Sequence, residues 1–80
     1  MNIKKDTILK IKHSRKGTFI GKAIKDFNTN DEWYPIVVED EEVKGMNTIW
    51  EKGEDIPCRN SLCSIEIIKV GEKLRKVNYD

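Results

Sequence analysis

Apolar and polar side chains alternate along most of the first seventy residues with the two-residue period of a pleated strand. Over residues 7–13, Leu9, Ile11 and His13 share one face, and Ile8, Lys10 and Lys12 share the other. Ser14, Arg15, Lys16 and Gly17 then form a polar turn in which Gly17 is available for a positive φ. A long second strand is predicted over residues 18–27. Phe19, Gly21, Ala23 and Phe27 lie on one of its faces, and Ile20, Lys22 and Ile24 on the other. Two small residues on an otherwise apolar face predict close backbone approach or a bend.

Residues 28–32 are a loop by composition. Trp33–Val38 reads as a third strand, and Pro35 implies that it lies at a sheet edge or begins only after that residue. The acidic run over residues 39–45 reads as a solvated turn and residues 46–51 as a fourth strand. Residues 56–62 read as a crossover with a helical turn opening at Asn60. A closing strand follows over residues 63–70, where Ile65 and Ile67 alternate with Glu66. The pattern therefore predicts one all-β domain over residues 1–70, with residues 71–80 as a tail or short extra strand. Strands recurring about every ten residues suit a small five-stranded barrel with one helical turn before its last strand.

Composition agrees with that class. Eleven Ile stand against a single Ala, a bias that suits a pleated surface rather than a helix bundle. Eighty residues with 38% apolar content allow one core, and a chain of this length buries only about 60% of its unfolded surface. Twelve Lys against three Arg, with many Ile and Asn, is the residue usage of an AT-rich coding sequence, as in low-GC bacteria and their phages. The basic stretch over residues 1–6 is followed by no run of seven apolar residues, so no signal peptide is expected. The longest apolar runs are too short to cross a bilayer. The expected location is the cytoplasm, with Cys58 and Cys63 as reduced thiols.

The second strand over residues 17–27, the strand Trp33–Val38 and the passage Arg59-Asn60-Ser61-Leu62-Cys63-Ser64-Ile65 together resemble an SH3-like small barrel. The last passage resembles the short 3₁₀ turn that leads into the final strand of that architecture. Residues 12–38 are also similar to small uncharacterised proteins of Gram-positive phages. The resemblance covers residues 7–70 and implies a binding module with a peptide, nucleic-acid or host-protein partner. The aromatic and proline pattern of a polyproline-reading groove is absent, which argues against that kind of peptide recognition.

Net charge of +1 conceals a segregation along the chain. Residues 1–25 hold eight basic groups and one acid, residues 26–55 hold ten acids and two Lys, and residues 56–80 hold five basic and three acidic groups. Two binding surfaces follow from this. A basic hairpin carrying Lys10, Lys12, Arg15, Lys16 and Lys22, with His13 and Lys25 nearby, suits contact with a phosphate backbone. An acidic segment carrying Glu39, Asp40, Glu41 and Glu42, with Trp33 and Trp50 as aromatic anchors, suits a basic protein partner such as a host factor. The same charges also serve simply to solvate strand faces and to protect an edge from aggregation, as in a structural protein. Trp33, Tyr34 and Trp50 supply rings on which bases could stack.

Catalysis and metal binding find little support. Cys58 and Cys63 have a four-residue spacer and only His13 as a further nitrogen donor, which is a poor zinc set. Neither Cys sits in a nucleophile motif, and no glycine-rich phosphate loop is present. The reading is a non-enzymatic binding module without cofactor or metal, a monomer or weak dimer. Nucleic acid is its leading partner and a host protein the alternative.

Overall fold

The computed structural model describes residues 1–71. In chain order they form β1 (Asn2–Ile3), β2 (Ile8–His13), β3 (Gly17–Ala23), β4 (Phe27–Asn28), β5 (Trp33–Val38), β6 (Glu42–Lys44), β7 (Ile49–Glu51), β8 (Asp55–Arg59), a 3₁₀ turn (Asn60–Leu62) and β9 (Cys63–Lys69). Five of the strands make one antiparallel sheet in the order β8-β5-β3-β2-β9. The pairs β1-β4 and β6-β7 are separate two-stranded ribbons. The chain is thus a small all-β domain with no α-helix among the described residues.

Alternation carries the core as the sequence implies. Leu9 and Ile11 on β2 and Phe19 and Ala23 on β3 turn inwards, joined by Tyr34, Ile36 and Val38 from β5 and Ile56 and Cys58 from β8. Leu9, Ile11 and Val38 retain no solvent exposure at all. Gly21 lies on this inner face, where a Cβ would stand 2.5 Å from Ile36 Cγ2 and 2.9 Å from Ile11 Cδ1. The missing side chain allows Ile11 and Ile36, on strands flanking β3, to close over it. Ser14, Arg15 and Lys16 connect β2 to β3, and Gly17 takes a φ of +76° as the second strand resumes.

Four elements differ from the sequence pattern, each for a local reason. Pro35 lies in β5, which is flanked on both sides by β3 and β8 rather than at an edge. Its carbonyl accepts from Ile24 N–H at 2.8 Å, so its missing donor faces β3; towards β8 it sits opposite Pro57 without needing one. Pro57 in turn directs its own vacant nitrogen to the free edge of β8, where it blunts that edge. The long second strand ends at Ala23, just before the level at which Pro35 cannot donate, and Phe27 continues in β4 beside β1. The acidic turn contains β6, because Val43 is buried against the core and pairs with Trp50 of β7. The crossover contains β8, which pairs with β5, while of the strand expected over residues 46–51 only Ile49–Glu51 forms, as β7 in the ribbon with β6.

The open end is sealed by the last described residue. Gly71 is buried, and its N–H donates to Thr7 Oγ1 at 2.9 Å. A Cβ on Gly71 would collide with the backbone of Lys5, Asp6 and Thr7. The tail or extra strand expected for residues 71–80 otherwise lies outside the described residues. Gly21→Ala should lower stability by about 1–3 kcal/mol through overpacking, read as a lower urea midpoint with an unchanged slope. An unchanged midpoint would contradict the close approach of Ile11 and Ile36.

Candidate nucleic-acid interface

The five basic residues of the sequence-predicted hairpin divide into two groups. The β2-β3 and β2-β9 registers place Lys12 between Thr18 and Ser64, and Lys10 between Ile20 and Glu66. Thr18, Lys12 and Ser64 are all exposed, so a cation stands in a row of hydroxyls on the outer face. Arg15 projects from the exposed hairpin turn. Among the described residues no carboxylate lies within ion-pair distance of Lys10, Lys12 or Arg15. Lys22 and Lys16 are committed elsewhere. Lys22 Nζ pairs with Glu39 Oε1 at 3.4 Å. Lys16 Nζ donates to Pro57 O at 2.9 Å and lies 5.2 Å from the centre of the Trp50 ring, so it ties the hairpin to β8 and β7.

His13 explains the shape of the turn. It is buried, and its Nδ1 accepts from the Arg15 N–H at 3.1 Å, which leaves the ring proton of the neutral form on Nε2. Lys16 Nζ, 3.4 Å from Nε2, is therefore a neighbouring cation and not a hydrogen-bond partner. Burial, then the charges of Lys16 and Arg15, hold the His13 pKa below its ordinary 6.5.

Three of the four acids of the predicted acidic surface make contacts within the domain. Glu39 pairs with Lys22, Asp40 Oδ2 accepts from Ile20 N–H at 2.8 Å, and Glu42 lies 3.6 Å from Lys44. Glu41 differs: only its backbone carbonyl is engaged, accepting from Lys52 N–H, and its carboxylate is exposed with no ion pair among the described residues. Trp50 is half-buried against the core, and Gly45 leaves room for its ring. Trp33 differs, at 54% exposed on the outer face of β5. Arg59, its cross-strand partner, places its guanidinium 5.7 Å from the ring centre while binding Glu32 Oε1 at 2.7 Å.

A shallow depression of about 400 Å³ opens where β2 and β9 meet the 3₁₀ turn, and Lys12, Ser14, Ser61 and Ser64 line its polar side. Thr18, Ser61, Ser64 and Arg59 carried no binding role in the sequence reading. Single polar residues in strands look like ordinary surface, and only the register gathers them around Lys12 and Trp33. Burial, followed by the nearby Cys63, pushes Cys58 up to about 12, and burial also raises Cys63. Among the described residues no cluster of His, Cys, Asp and Glu is placed to hold a metal ion, and no helix is long and apolar enough to cross a membrane. No protein-family model, curated protein or solved structure matches this chain.

The His13 shift carries a pH signature. With the folded pKa below the unfolded value, the unfolded chain binds the proton more readily, so the stabilisation is complete above about pH 6.5 and is lost as pH falls through that value towards the folded one. The urea midpoint should decline from about pH 7.5 to about 5.5 and decline less in His13→Gln. Equal slopes in the two proteins would show that His13 does not carry the effect.

Proposed function

We propose that this chain is a small non-enzymatic binding module that grips the phosphate backbone of nucleic acid through the outer face of the β2-β3 hairpin. The observation that carries the reading is the register around Lys12. It is flanked by the hydroxyls of Thr18 and Ser64 and by no carboxylate, with Arg15 standing clear at the turn. Cations and hydroxyl donors together are the groups that phosphate oxygens accept from, and such contacts fix position without reading sequence. Lys10 extends the same face, whereas Lys16 and Lys22 serve the fold.

An SH3-like reading of the architecture draws support from the antiparallel order β8-β5-β3-β2-β9, in which one 3₁₀ turn returns the chain from β8 to β9 beside β2. A phage-type protein goes with this reading, on the strength of the residue usage. The rival, an acidic face for a host protein, has less to draw on, because Glu39, Asp40 and Glu42 are engaged within the domain. A shallow surface and a deeply buried Cys58 favour binding over catalysis.

Binding to a short labelled oligonucleotide should be measurable at low salt and fall steeply as salt rises. A Lys12→Glu, Arg15→Glu double variant should weaken it about tenfold or more and reduce the salt slope by about two. Lys22→Gln should bind within about twofold of the parent. Binding absent at low salt, or unchanged in the double variant, would overturn the proposal.

A further inference from the structure

The exposed Trp33 and the Lys12 depression meet at the same short turn. Trp33 lies opposite Arg59 in the β5-β8 register, and Arg59 is followed directly by the 3₁₀ turn Asn60–Leu62. Asn60 N–H donates to Glu32 O at 2.9 Å, and its side-chain amide reaches Asn30 O, so the turn is fastened beside the start of β5. Ser61 of that turn lines the depression together with Lys12, Ser14 and Ser64. Ser14 N–H donates to Leu62 O at 2.9 Å and fixes the other side. One rigid connection therefore has an aromatic ring at one end and a cation with hydroxyls at the other.

The Trp33 ring is held for use rather than buried. Arg59 packs over it and is itself pinned by Glu32, yet more than half of the residue remains exposed. An exposed ring and a shallow hollow with a cation and hydroxyls on its polar side, joined by one short turn, suit the alternation of base and phosphate along an unpaired strand. A duplex does not match it, since its bases are stacked on each other and unavailable to a side chain.

Resting on the nucleic-acid reading above, we infer that the ligand is single-stranded, with one base stacked on Trp33 and a backbone phosphate held by Lys12, Ser14, Ser61 and Ser64. Sequence preference is weak in such a site, because every base has a π-face.

The test compares labelled oligothymidylate, oligouridylate and a duplex of equal length by anisotropy at low salt, with the intact chain and with Trp33→Ala and Trp33→Phe. Circular dichroism in urea confirms that each variant folds. The single strands should bind at least about tenfold tighter than the duplex, Trp33→Ala should lose about tenfold on the single strands, and Trp33→Phe should retain most of the affinity. Equal affinity for the duplex, or a Trp33→Ala variant that binds single strands as the parent does, would overturn this inference and leave backbone binding intact. No binding to any of the three would remove both.

Discussion

The fold turns on the contact across Gly21. A single five-stranded sheet has to cover its own inner face, and it does so only if the strands on either side of β3 lean together. Ile11 and Ile36 approach over the one inner position that carries no side chain, and the residues around them are almost fully excluded from water. In a domain of this size there is little other buried surface to compensate for a lost contact. The β6-β7 ribbon adds Val43 and Trp50 to the same core, and Gly71 closes the opposite end against Thr7. The outer face, released from packing, is where polar groups can be arranged for a partner.

Charge segregation in the chain is only partly charge segregation in space. Antiparallel registers carry a residue of the basic segment beside one of the acidic segment, as with Lys22 and Glu39. Loop acids are drawn into backbone hydrogen bonds, as with Asp40 and Ile20 or Asp26 and Lys5. Of the basic groups in residues 1–25, Lys22 and Lys16 are drawn into the fold, whereas Lys12 and Arg15 stand exposed on the outer face and turn with no carboxylate at ion-pair distance among the described residues. The distinguishing feature of Lys12 is the company of hydroxyls, which a count of charges does not register.

The parts of the structure legible in the sequence are those governed by the two-residue period. The inward sets Leu9, Ile11, His13 and Phe19, Gly21, Ala23 could be read directly, as could the strand Trp33–Val38, the turn at Gly17 and the helical turn at Asn60. Non-local rules hid the rest. Pro35 signals an edge by its own chemistry, but its pairing opposite Pro57 makes an interior place acceptable. Val43 is an isolated apolar residue among acids and acquires meaning only through Trp50. Pro57 masked β8 in the same manner. Lys16 looked like a free cation of a turn, and its destination at Pro57 and Trp50 lies far along the chain. Of the candidate interface, Lys10, Lys12 and Arg15 were visible, and the serines and Thr18 around them required the register.

The central claim is that one end of the domain, from Trp33 across the 3₁₀ turn to Lys12 and Arg15, is the surface that meets nucleic acid. Titrating a short oligonucleotide into isotope-labelled protein and following backbone amide shifts by NMR tests it residue by residue. The account predicts that the largest shifts fall on Lys12, Ser14, Arg15, Ser61, Ser64 and the indole of Trp33, while the β6-β7 ribbon stays still. Shifts concentrated on the acidic ribbon, or spread evenly over the whole surface, would contradict it.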